Sequence, residues 1–188
     1  SSDCDKILNF ANDCGVIQIK RPEEFANDQA SSEVAWIHAI NYLEIKNFKF
    51  NTIIAPQLTS PLRYKETFLK AVNKFNSRRL DCLFSSSLID CHSNEWDLDI
   101  ELDGIKPFNY NPYIQRKRRQ DEKKFPRIKE NGSFYIFKKE GFLKNKVRFF
   151  GKVGHLLLDK LESIEIDDFE DWSIAESVFK NNQNSFFY

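Results

Sequence analysis

The sequence predicts an α/β fold, a mostly parallel sheet with helices on both faces. Short apolar runs such as Phe50–Ala55 and Cys82–Ser85 alternate with amphipathic stretches of helical period such as Tyr64–Ser77. Strands joined by helices of that length stack into a sheet that needs cover on both sides. With 188 residues, 41% hydrophobic and 30% charged, the chain suits one globular domain over 1–188 with a sizeable core.

Composition excludes several classes. Lys plus Arg and Asp plus Glu number 28 each, so no net charge draws the whole surface to nucleic acid or an anionic membrane. No apolar run approaches the length of a membrane span, and no signal-peptide pattern is present. Cys4, Cys14, Cys82 and Cys91 have no C-x-x-C spacing, which fits reduced thiols in a cytoplasmic protein. Internal repeats, zinc spacings and a dinucleotide fingerprint are all absent from the sequence.

Taken in order, Ser1-Ser2-Asp3 reads as a cap before a helix with Ile7, Leu8, Ala11 and Cys14 on its inner face, stopped by Gly15. Because the chain opens on this helix and contains no Met, we expect its natural N-terminus to lie upstream. Val16–Ile19 alternates as a short strand ended by Arg21-Pro22. Ser31 or Ser32 caps a helix from Glu33 to Lys46, in which His38 is expected to be a satisfied, partly buried core histidine. After the strand Phe50–Ala55, the loop Gln57–Arg63 sits where α/β sheets bind ligands, and its small polar residues and arginine suit an anionic or hydroxylated one.

From Asp90 to Arg127 the pattern changes to an excursion. Trp96–Leu102 alternates, Asp103-Gly104 offers a hairpin turn, and a basic run, Gln115–Lys124, follows beside Tyr110, Tyr113 and Phe125. Such a run can grip nucleic acid, although Asp121 and Glu122 interrupt it; one arginine in it can equally clamp a small carboxylate or phosphate. Glu130-Asn-Gly132 reads as a turn, Ser133–Phe137 as a doubly buried strand, Lys138–Leu143 as a short helix and Val153–Leu158 as a strand with His155 at an edge or surface. The tail from Lys180 reads as frayed.

The segment Ser163–Glu176 organises the rest. Ile164 and Ile166 alternate with Glu165 and Asp167 as in a half-buried strand, and Asp168 caps a helix that turns Trp172, Ala175 and Phe179 inward. Same-side strand positions lie about 7 Å apart, so Glu165 and Asp167 can converge on one hard cation.

Five segments in this order resemble the acylneuraminate cytidylyltransferases, the CMP-sialic acid synthetases: Ser1–Asp3, Arg21–Asp28 with Ala30–Ser32, Gln57–Arg63, Arg119–Asp121 with Glu130–Gly132, and Ile164–Trp172. The resemblance implies a nucleotide-diphospho-sugar transferase-like fold with residues 90–127 as a small β-rich dimerisation excursion. It implies transfer of CMP from CTP to the anomeric hydroxyl of a sialic-acid-like nonulosonic acid, with Mg²⁺, in a homodimer. Carried over by position, Arg21 and Ser32 contact the nucleotide; Gln57, Arg119 and Asn131 contact the sugar, Arg119 from the partner subunit. Glu165 and Asp167 are the metal pair and the catalytic acids.

Three departures bear on this. The first acid is Glu165 where the family usually has aspartate, and Lys129 stands where some relatives carry arginine. The family's first strand and phosphate-binding loop would lie upstream of Ser1. The competing expectations are an inactive, truncated sugar-binding or dimerising remnant and a Kdo cytidylyltransferase.

Overall fold

The computed structural model describes residues 1–27, 29–89, 95–99, 104–109, 111–115, 127–182 and 186. Its main sheet has four strands in the order β1 (Thr52–Pro56), β5 (Ile128–Lys138), β2 (Cys82–Leu88) and β6 (Val153–Leu157). β6 runs parallel to β2, while β5 runs antiparallel to both β1 and β2. Three strands therefore point the same way, as expected, and the sheet is mixed because β5 is inserted between them in reverse.

Helices cover both faces. On one, α3 (Thr67–Ser77) sets Ala71 and Phe75 against Leu83, Phe134 and Ile136. On the other, α2 (Ser32–Ile45) and α4 (Lys139–Asn145) meet Cys82, Tyr135 and Phe137 through Ile40 and Phe142. Consecutive residues Phe134 to Phe137 thus alternate between two cores, and so the run reads as uniformly apolar. α2 starts where Ser31 caps it, accepting a hydrogen bond from the Val34 amide at 3.4 Å.

Several expectations are corrected. α1 (Asp5–Asp13) buries only Leu8 of its expected inner face, Ile7 being 51% exposed. Its N-cap is Cys4, whose amide donates to Ser2 Oγ at 3.1 Å. Gly15 ends the helix region at a φ of +71°, as expected. Residues 16–19 form no strand: Val16 and Ile17 are exposed, and among the described residues the one ladder contact nearby is a parallel bridge of Ser2 with Lys20.

The Glu130–Gly132 turn is instead an irregularity inside β5. Phe84 pairs with Tyr135 but Ser86 with Glu130, so 131–134 bulge opposite Ser85. The Ser85 hydroxyl fills the gap in the ladder, accepting from the Phe134 amide at 2.9 Å and donating to the Phe134 carbonyl at 3.1 Å. Asn-Gly does demand left-handed backbone, Gly132 having a φ of +67°, but the chain spends it on a bulge. The tail is not wholly frayed either: Phe186 is fully buried and stacks on Tyr64 at 5.3 Å.

β3 (Trp96–Asp99) and β4 (Gly104–Pro107) pair antiparallel as the expected ribbon, and Ile89 N donates to Arg127 O at 2.9 Å across its base. Gly104, expected in the hairpin turn, is instead the first residue of β4, paired with Asp99, while Asp103 and most of the basic run, Arg119 included, lie outside the described residues. Among the described residues no helix is long and apolar enough to cross a membrane. His155 sits on the edge strand β6, half-buried, with Nδ1 2.8 Å from Ser86 Oγ.

Candidate active site

α2 and the free edge of β1 enclose a cleft of about 700 Å³. Its walls are apolar, with Trp36, Ile40 and Ile53, and its polar rim carries Arg21, Ser31, Ser32, Gln57 and Thr59. Few convergent polar groups over an apolar floor are what a small-molecule site requires. The Arg21 guanidinium donates to the Ser1 carbonyl at 2.7 Å and to its hydroxyl at 3.2 Å. Three sequence-predicted residues, Arg21, Ser32 and Gln57, are thereby brought to one place.

The acid segment docks against the same loop. Ile166 N donates to Thr59 O at 2.7 Å, and Thr59 Oγ1 donates to Glu165 Oε1 at 3.4 Å. Ile164 and Ile166 turn into a third apolar cluster with Leu62, Ala175 and Phe186, while Glu165 and Asp167 are exposed. The alternation is as expected, yet the segment is no strand. It is moored to loop 57–59 and to α5 (Phe169–Asn181), and no ladder partner reaches it among the described residues. Asp168 caps α5 through the Asp171 amide at 2.8 Å. Trp172 is corrected from core to surface, 56% exposed, with Ala175 taking the buried position.

Asn131 is not among the cleft-lining residues. It is buried, its amide donates to Ser163 Oγ at 2.9 Å, and its Oδ1 accepts from Ser133 N at 3.4 Å. It supports the acid segment from beneath, and next to it a Cβ on Gly132 would come 2.8 Å from Glu165 Oε1.

Arg63 was expected to meet a ligand and instead turns inward. It donates to Ser133 Oγ at 3.0 Å, to Gln57 O at 2.7 Å and to Ser133 O at 2.6 Å, and its guanidinium lies 5.6 Å from the Phe68 ring centroid. Burial lowers its pKa from the ordinary value, opposed by the Glu162 carboxylate. Glu162, itself buried, accepts from the Tyr64 amide at 3.0 Å and from the Thr67 hydroxyl. His38 is corrected too: its Nδ1 is buried without a hydrogen-bond partner, and the ring packs on Phe25 at 5.6 Å.

Sequence reasoning missed a network behind the cleft wall. Arg148 Nε donates to Glu33 Oε1 at 2.6 Å, and the guanidinium lies 4.6 Å from the Tyr135 ring centroid and 5.2 Å from that of Trp36. Tyr135 OH donates to Glu130 Oε2 at 3.1 Å. Burial works against the Glu33 charge, but its hydrogen bonds to Arg148 and to its own backbone hold the carboxyl below its usual range. Arg148 is raised, first by that same hydrogen bond. No sequence spacing marks these residues, because 115 positions separate Glu33 from Arg148.

The acid pair also has a donor set that fits a hard cation. Among the described residues no cluster of three or more metal-ligating side chains forms. An ion here would therefore take two protein carboxylates and draw its other oxygens from water and substrate, the usual condition of Mg²⁺.

No family model matches the chain. It is 30% identical over 94% of its length to an N-acylneuraminate cytidylyltransferase A from Danio rerio, spanning 39% of that protein. It is 28% identical over 95% to an N-acylneuraminate cytidylyltransferase from Escherichia coli, spanning 41%, and 27% identical over 98% to a CMP-N,N'-diacetyllegionaminic acid synthase from Legionella pneumophila, spanning 78%. Among solved structures, a 4-diphosphocytidyl-2C-methyl-D-erythritol synthase from Anaerococcus prevotii superposes with a TM-score of 0.49 at 14% identity, over 95% of this chain and 77% of that one. The chain thus spans less than half of the first two curated relatives. Over nearly all its own length, however, it is similar in sequence to the N-acylneuraminate cytidylyltransferases and to enzymes that activate related nonulosonic acids.

Proposed function

We propose that this chain carries the site of a cytidylyltransferase that moves CMP from CTP to the anomeric hydroxyl of a sialic-acid-like nonulosonic acid, releasing pyrophosphate. The observation that carries this is the convergence of Arg21, Ser32 and Gln57 on one cleft, with Glu165 moored at its rim through Thr59. Arg21 and Ser32 hold the cytidine end, and Gln57 faces the sugar. Asn131 keeps the acid segment placed beside the sugar pocket, and Arg119, outside the described residues, reaches the sugar carboxylate of the partner subunit. Glu165 and Asp167 hold Mg²⁺, which when bound neutralises charge developing at the α-phosphate. The decisive experiment supplies the full-length protein with CTP, Mg²⁺ and sialic acid and follows pyrophosphate. No release with any nonulosonic acid overturns the proposal.

Gly132→Ala tests the metal pair without substituting either acid. The left-handed backbone there costs an alanine about 1 kcal/mol, and its Cβ would crowd the Glu165 carboxylate at 2.8 Å. Thermal unfolding is expected to shift by about that amount and Mn²⁺ affinity, followed by paramagnetic titration, to fall about fivefold. Unchanged affinity would remove Glu165 from the metal site.

The homodimer is proposed from the ribbon. Leu98 pairs with Ile105, both more than 60% exposed, and a two-stranded ribbon is marginal without cover. A second copy supplies that cover. Leu98→Asp is expected to yield monomers by analytical ultracentrifugation, and a wild-type protein that is already monomeric refutes the dimer. The cytoplasm is the proposed compartment, where CTP is made and where the unpaired Cys4, Cys14 and Cys82 would stay reduced.

A further inference from the structure

Arg148 comes from the connection between α4 and β6 and crosses the sheet face that carries α2. Its partner Glu33 is the residue after Ser32 and one turn before Trp36 and Ile37. The pair is well shielded, with side chains 26% and 17% exposed. Such a pair is seldom needed for stability, since apolar replacements of buried ion pairs are often neutral or better. α2 is already held by the packing of Ile40 and Trp36, and at its last turn by Lys139 with Glu44 at 2.6 Å. What the pair adds is geometry at one end. A planar guanidinium set against the Tyr135 and Trp36 rings fixes how the indole faces the cleft, while the Glu33 contact fixes the turn that presents Ser32.

We infer that Arg148 is a positioning residue for the nucleotide wall of the cleft, acting through Trp36 and through Glu33 on the first turn of α2. The inference rests on the cytidylyl-transfer reading and deepens it. Arg148 does not line the cleft itself; it sets the wall that the base and ribose meet.

The test is a calorimetric CTP titration of the wild type, Arg148→Lys, Arg148→Leu, Glu33→Gln and, as control, Lys139→Met. The three variants at the Arg148–Glu33 pair are expected to weaken CTP binding about tenfold, the effect of one charge-assisted hydrogen bond. Lysine is not expected to rescue, because it has neither the planar stack nor the Nε donor. Lys139→Met, which cuts the tether at the far end of α2, is expected to bind as the wild type does. In a Trp96→Phe, Trp172→Phe background the remaining emission comes from Trp36, and its anisotropy is expected to fall in Arg148→Lys.

Wild-type affinity in Arg148→Lys overturns the inference, as does an equal loss in Lys139→Met, which would make the effect one of helix docking alone. A wild type that binds no CTP removes the nucleotide reading and the inference with it, so the two failures are told apart. Should Arg148→Leu not fold, Arg148→Lys and Glu33→Gln decide.

Discussion

Asp167→Asn in the full-length protein is expected to lower CMP transfer by about a hundred- to a thousandfold, the range seen when one preorganised electrostatic group is removed from a transition state. The substitution is close to isosteric, and the side chain it changes is exposed. The local fold depends instead on the Asp167 backbone amide, which donates to Asp171 Oδ2 at 3.1 Å, and on the Asp168 cap, neither of which the change touches. Stability should therefore stay within about 0.5 kcal/mol, as for ordinary surface substitutions. Pyrophosphate release beside a melting curve separates the two quantities. An unaltered rate would show that the acid pair has no part in the chemistry.

Arg63→Met is expected to have the largest effect on stability, about 3 kcal/mol. Methionine keeps much of the aliphatic volume but leaves the Gln57 and Ser133 carbonyls and the Ser133 hydroxyl without their donor, and each such group costs about 1–3 kcal/mol. It also takes a compensating positive charge away from the buried Glu162. Denaturant unfolding measures the loss. A change under 1 kcal/mol would show that water replaces the guanidinium without strain.

Much of the fold was legible because period and capping are local. The runs expected at 50–55, 82–85 and 133–137 overlap β1, β2 and β5, the cap of α2 is one of the two expected serines, Asp168 caps α5 and α3 lies within the expected 64–77. What misled was alternation without a neighbour: residues 16–19 and 164–167 have the strand period, yet a strand exists only where a second chain offers its backbone. Asn131-Gly132 announced left-handed backbone correctly, but whether that makes a turn or a bulge depended on Ser85 across the sheet. In the candidate site, Arg21, Ser32 and Gln57, named from the family resemblance, line one cleft. Arg63 looked like a ligand group because its internal acceptor, Ser133, lies 70 positions away. Arg148 offered no local mark at all.

Mooring the acids to Thr59 rather than to a ladder has a consequence for tolerance to disturbance. The loop that holds Gln57 is riveted to β5 by Arg63, and the Glu165 carboxylate and the Ile166 amide are tied to that same loop through Thr59. A shift of β5 is therefore passed to Gln57 and to the acid segment through one and the same loop, as a single raft.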